Sequence, residues 1–171
     1  MSTRYRRGVP ADAARLAEFA ARAFADTYGA HNTPEDMRAY TAGAYGVPQQ
    51  TRELTDPAMT TVLAESNEHI VGYALLRRDI SPPGVTLDAP VEIYRFYVDS
   101  PAHGTGVAQR LMAESLMAAQ DLGGRQVWLG VWENNPRAIA FYKKCGFRDV
   151  GTQYFQLGTD RQTDRVLALT L

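Results

Sequence analysis

Cysteine is nearly absent from this chain: Cys145 is the one such residue among 171. That excludes an internal disulfide and any cysteine-cluster metal site. Surplus charge is lacking too. With 18 Lys and Arg against 19 Asp and Glu the formal net charge is -1, so no global field draws the chain to nucleic acid or an anionic membrane. Any anion binding has to be local. No stretch approaches the roughly 20 apolar residues of a membrane-spanning helix, and MSTRYRRGVP lacks the apolar run of a signal peptide. The expected location is the cytoplasm. Repeats, low-complexity tracts and linkers are missing as well. What remains is ordinary for a globular protein, 45% hydrophobic and 22% charged. One domain over 1–171 is expected, long enough to bury roughly 70% of its unfolded surface.

Thr3 to Val9 reads as a short edge strand, and Pro10 and Asp12 open a helix carrying Leu16, Phe19, Ala20 and Phe24 to about Thr27. Tyr28 to Asn32 is a loop. Thr33, Pro34, Glu35 and Asp36 then make a good helix start: a capping hydroxyl, proline first, acids in the first turn. This second helical region breaks near Gly46-Val47-Pro48 and resumes to about Leu54. With Tyr28, Tyr40 and Tyr45 it reads either as an amphipathic cover or as a wall of a substrate pocket. Met59 to Glu65 and Ile70 to Arg77 form a hairpin around Ser66-Asn67-Glu68-His69. Ser81-Pro82-Pro83-Gly84 breaks the chain. Gln126 to Trp132 is a strand with Val127, Leu129 and Val131 on one face and Trp128, Gly130 and Trp132 on the other. Asn135-Pro136 opens a short helix ending at Gly146, and Phe147 to Leu157 and Arg165 to Leu171 close the chain as strands. The order implies an α/β domain with a mixed sheet.

The informative stretch is Val91 to Leu122. VEIYRFYV is rich in β-branched and aromatic residues and reads as a buried strand. His103-Gly104-Thr105-Gly106-Val107-Ala108 follows. Val107, Leu111, Ala118 and Leu122 then fall on one helical face. A strand, a glycine loop and a helix start make an anion site, because the first helical N–H groups have no internal partner and the dipole is positive there. A Rossmann fingerprint needs glycine or alanine where Gln109 stands, and a P-loop needs Gly-Lys-Ser/Thr where Val107-Ala108-Gln109 stand. Both are excluded.

His103 to Ala108 resembles the pyrophosphate loop Q/R-x-x-G-x-G/A of the GNAT superfamily of acetyl-CoA-dependent N-acetyltransferases, with histidine at the first position. WLGVWENNPRAIAFYKKCGF resembles that family's strand, asparagine, helix and Y-x-x-x-G-F ending. The VWENN string and the tyrosine-rich helix pair look most like the branch with polyamine and other small-amine acetyltransferases. The resemblance implies a central mixed, mostly antiparallel sheet of about six to seven strands flanked by about four helices. It also implies acetyl-CoA as cosubstrate without a metal, and a homodimer through the last strands. Position by position, Phe96, Tyr97 and Val98 would offer backbone groups to the pantetheine arm, and Gly104, Thr105, Gly106, Val107 and Ala108 amides to the pyrophosphate. His103 would sit beside the phosphates. Asn135 would hydrogen-bond the arm, Tyr142 would give a proton to the departing thiolate, and Glu92 would be the base.

The implied reaction is direct attack of an amine on a thioester, in a ternary complex. An alkylammonium of pKa about 10.4 is neutral only about one part in 10³ at pH 7, so a base has to take a proton. A phenol can return one to the thiolate. Each residue also has a plainer reading. Tyr142 beside Phe141 fits core packing, Glu92 fits a solvent-facing strand position, and Asn135 fits a helix cap. His31 and His69 fit the surface, Cys145 lacks a paired histidine, and Trp128 and Trp132 fit packing. A non-catalytic acyl-CoA sensor and a protein acetyltransferase are the alternatives to small-amine transfer.

Overall fold

In the computed structural model, which describes residues 2–171, the chain forms seven strands and five α-helices. In order these are β1 (Arg4–Arg7), α1 (Ala13–Tyr28), α2 (Pro34–Ala44), α3 (Val47–Thr55), β2 (Met59–Ser66), β3 (His69–Arg78) and β4 (Pro90–Val98). Then come α4 (Val107–Asp121), β5 (Gln126–Trp132), α5 (Pro136–Lys144), β6 (Arg148–Leu157) and β7 (Asp160–Thr170). The region after Thr33 is two helices, divided where the sequence breaks: Gly46 takes extended backbone (φ -67, ψ 152) and caps α3 ahead of Pro48, which makes five helices where the resemblance implied about four.

Local chemistry accounts for most boundaries. Thr33 accepts a hydrogen bond from the Asp36 N–H at 3.1 Å and starts α2. Asn67 and Glu68, at φ 50 and 64, supply the left-handed pair that a tight hairpin between β2 and β3 requires. β7 begins five residues earlier than its apolar run, because Asp160 to Asp164 pair with Leu157 back to Gln153 of β6. Long-range pairing there overrides a polar, loop-like composition.

The sheet order is β1-β2-β3-β4-β5-β7-β6, and β4 and β5 form its single parallel pair among the described residues. Helices α4 and α5 cover one face. Leu111, Met112 and Ala118 meet Ala74, Leu76, Ile93 and Leu129 there. On the other face, Leu16, Phe19, Ala20, Ala23 and Phe24 of α1, spaced three and one apart, pack on Leu63, Tyr73 and Leu75. A fully covered Leu16 or Phe24 contributes roughly 1.5–3 kcal/mol. No helix among the described residues is long and apolar enough to cross a membrane.

Candidate active site

The parallel pairing of β4 with β5 runs only from Pro90–Gln126 to Glu92–Trp128. Beyond it the strands part. β4 stays with β3 as far as Val98 and β5 stays with β7 as far as Trp132, so two sheet edges face each other across a cleft. A cavity of about 470 Å³ fills it, lined by both edges, the start of α4, α5 and the tyrosines of α1 and α2. That volume suits a small-molecule site.

A register shift in the β3–β4 ladder falls between Leu75 and Leu76, opposite Arg95 and Ile93, so Tyr94 is the extra residue of a bulge. It changes the phase of the strand. Before it Val91 and Ile93 enter the core under α4, and after it Phe96 and Val98 do. Arg95 and Tyr97 turn to the opposite face. There Arg95 donates to Glu53 of α3 at 2.7 Å, with both side chains 5% exposed, and Tyr97 stacks on Tyr73 at 5.9 Å. The Asp99 N–H donates to Val71 O at 2.8 Å, so alternation aims the backbone groups of Val98 and Phe96 into the cleft and those of Tyr97 towards β3.

At the mouth, Gly104 and Gly106 have φ of 77 and 90, conformations that only glycine takes without strain. A Cβ at either would meet nothing within 4 Å. The turn is therefore open on its outer side, as a cradle for an anion should be. Gly106 caps α4, and the first helical bond is Arg110 N–H to Gly106 O at 3.1 Å, which leaves the Val107, Ala108 and Gln109 amides for a ligand. Val107 sinks its side chain into the core and offers backbone only, while Thr105 turns both donors inward, its hydroxyl to Ala102 O at 2.7 Å and its N–H to the same oxygen at 3.4 Å. His103 lines the same cavity, and its Nε2–H donates to Val98 O at 2.8 Å, which ties the loop to the end of β4.

Asn135 caps α5, its Oδ1 accepting from the Ala138 N–H at 3.2 Å. The residue also lines the cavity, and the cap uses its oxygen and not its amide N–H groups. Tyr142 is 8% exposed, ringed by Phe96, Phe141 and Phe147 at 5.4–6.0 Å, and also lines the cavity. Core packing and a place in the site coexist. Burial, with smaller contributions from Tyr28 and Cys145, pushes its phenol well above 10, so it keeps its proton. Burial likewise pushes the Cys145 thiol up, away from nucleophilic thiolate.

Glu92 is not solvent-facing. It is 4% exposed and ion-paired with Arg77 across the ladder, and burial raises its carboxyl against the pull of that arginine. The two tryptophans divide. Trp128 packs at 2% exposure and donates to Ile80 O at 2.6 Å, while Trp132 faces the cavity against His31 (5.2 Å) and Tyr28 (6.1 Å). Tyr28, Tyr40 and Tyr45 all line the cavity, so the tyrosine-rich helices are cover and wall at once.

Sequence reading passed over Gln153, Gln162 and Asp164, brought in by β6 and β7. Gly130 makes room for two of them: a Cβ there would collide with the Gln153 amide and lie 3.0 Å from Asp164 Oδ2. Burial pushes the Asp164 carboxyl up to about 6, Gln153 pulling it back and Glu133 adding to the rise. Tyr28, pushed up to about 12 by its burial, feels the Asp164 charge and in turn bears on Tyr142.

Residues 17–147 match the family model described as "Acetyltransferase (GNAT) family". An uncharacterized N-acetyltransferase of Mycobacterium tuberculosis is 36% identical over 160 residues, 94% of this chain and 98% of that protein. The N-alpha-acetyltransferase RimI of the same organism is 36% identical over 117 residues, 67% of this chain and 70% of its own. Among solved structures, the PaiA N-acetyltransferase from Thermoplasma acidophilum in complex with coenzyme A superposes with a TM-score of 0.80 at 17% identity, covering all of both chains.

Proposed function

The chain belongs to the GNAT acetyltransferase family, and from that premise we propose that it moves an acetyl group from acetyl-CoA to the primary amine of a small molecule, a polyamine being one candidate. The carrying observation is the cleft between β4 and β5 with a glycine-cradled helix start at its mouth. A pantetheine arm can lie along the free edge of β4, pairing with the backbone of Phe96 and Val98 as an added strand would. The amides of Gly104 and of Gly106 to Ala108 suit the pyrophosphate, and the Asn135 amide suits the arm. His103 supports this cradle from behind by holding the loop to Val98.

Acetyl-CoA brings the activated acyl group, and the remaining work falls to side chains. Tyr142 is neutral and buried, so it keeps its proton and can donate it in a hydrogen bond to the departing sulfur as negative charge develops there. Backbone N–H at the end of β4 polarises the carbonyl as negative charge develops. Two buried carboxylates, Glu92 and Asp164, line the cavity and are the candidates for the base. Arg77 already pairs with Glu92. The reading carries a cytoplasmic location and a homodimer through β6 and β7 as expectations, the latter checked by light scattering behind gel filtration.

A second reading, transfer to the N-terminal amine of a protein, is favoured by the likeness to RimI. Free-thiol release from acetyl-CoA separates the readings when spermidine, a lysine peptide and a peptide with a free N-terminal alanine are compared. Turnover on spermidine supports the first reading, and turnover on the alanine peptide alone supports the second. Acetyl-CoA binding without thiol release on any amine would return the fold to a sensor's role.

A further inference from the structure

β7 brings two buried acceptors to the cavity wall, one without a hydrogen-bond donor and one met only by a neutral amide. Gln162 and Asp164 lie two residues apart on one face of the strand, 7% and 8% exposed, and both line the cavity. The Gln162 amide nitrogen donates to Asn32 Oδ1 at 2.8 Å and to Asp160 Oδ2 at 2.7 Å, which fixes which way the amide points. Its Oε1 is then buried without a hydrogen-bond partner.

Asp164 stands apart from the other buried carboxylates. Asp12 and Glu53 are each 2.7 Å from an arginine, Arg6 and Arg95, and Glu92 has Arg77. Among the described residues Asp164 pairs with no cation. The groups facing it are neutral Gln153 from β6, which hydrogen-bonds it, the Tyr28 phenol from α1, and a second acid, Glu133, just past β5. A carboxylate kept under cover in such company costs stability unless something positive completes it.

The missing partner therefore supplies donors and positive charge. A phosphate, a carboxylate or a carbonyl would meet acceptors with acceptors. An alkylammonium carries three donors and one charge on a compact head. The rings of Trp132 and Tyr28, meeting at 6.1 Å on the same wall, add aromatic faces that attract a cation. We propose that the acetyl acceptor enters as a protonated primary amine whose ammonium docks on Asp164 and Gln162 Oε1, and that Asp164 takes its first proton. This rests on the acetyl-transfer reading above.

The step balances within the site. One N–H bond of the ammonium breaks, an O–H bond forms at Asp164, and nitrogen keeps the electron pair with which it attacks the thioester. Asp164 returns the proton to water once product leaves. An acid poised near neutrality is a better acceptor than one of ordinary strength, and Asp164 is raised to about 6 by burial.

Asp164→Asn removes the charge and keeps the shape. Thiol release on spermidine, a lysine peptide and an alanine peptide is measured from pH 5 to 10, with acetyl-CoA affinity followed by calorimetry. The expected result is a loss of amine kcat/KM of at least 100-fold at pH 7, with the acidic limb of the profile gone. Partial recovery is expected above pH 9, where the amine supplies its own neutral form, and acetyl-CoA affinity should not change. Asp164→Glu should restore part of the limb, and Gln162→Leu should raise amine KM about tenfold with kcat held. Asp164→Asn within threefold of the parent, with the same acidic limb, overturns the assignment and leaves acetyl transfer standing. Equal loss in Asp164→Asn and Asp164→Glu, with acetyl-CoA affinity lost too, marks a structural residue and also overturns it. Acetyl-CoA binding by the parent with no thiol release on any of the amines overturns both readings.

Discussion

Two side chains carry the proposed proton traffic, and burial raises both, which suits one to give a proton and the other to take one. Tyr142 is raised far enough to stay a donor. Tyr142→Phe removes only the hydroxyl from a ring held by Phe96, Phe141 and Phe147, so kcat should fall at least tenfold with acetyl-CoA affinity unchanged; equal kcat by steady-state assay contradicts an acid role. Asp164 also leaves a mark on stability. Burial lifts its carboxyl from the ordinary 3.8 to about 6, so the ionised form is disfavoured in the fold. Its penalty is absent below about pH 4 and complete above about pH 6. Asp164→Asn should therefore raise stability at pH 8 by roughly 1–3 kcal/mol and change little at pH 4, as read from urea unfolding at the two pH values. Tyr142 could be read from sequence because its motif is contiguous. Asp164 could not, because only the pairing of β7 with both β5 and β6 sets it over Gly130.

At the scale of elements, the loop into α4 and the bulge in β4 shape the cleft. The loop was legible, since glycine spacing and a helix start are local signals. The bulge was not: VEIYRFYV alternates well enough to read as a regular strand, and only the ladder with β3 exposes the extra Tyr94. The bulge also explains a buried cation. Arg95 reaches Glu53 on α3 because the phase change turns it to that face. Glu53→Gln leaves the guanidinium buried without its counter-charge and should cost roughly 3–5 kcal/mol, measured by denaturant unfolding. Gly106→Ala puts a Cβ at φ 90. It should cost roughly 1–2 kcal/mol of stability and weaken acetyl-CoA binding about tenfold or more by calorimetry, through distortion of the amides that cap α4.

For the whole molecule, the open ends of β4 and β5 matter more than any one residue. A sheet paired throughout would have no cleft. Here α4 and α5 pack on one face and α1 to α3 on the other, and between them the two strands part, leaving two free edges along which the proposed cofactor arm would lie. Sequence analysis placed all seven strands and the α/β class, since hydrophobic periodicity and capping residues act locally. It placed the break near Gly46 from a local glycine and proline signal, and it started β7 late, where long-range pairing decided. Direct transfer in a ternary complex is tested most plainly with ¹³C-acetyl-CoA and varied amine, following the acetyl carbonyl by NMR alongside free thiol. The expected result is an amide resonance growing one-to-one with thiol, only when both substrates are present, with intersecting initial-velocity lines. Thiol release without amine, or parallel lines with label held on the protein, would contradict it.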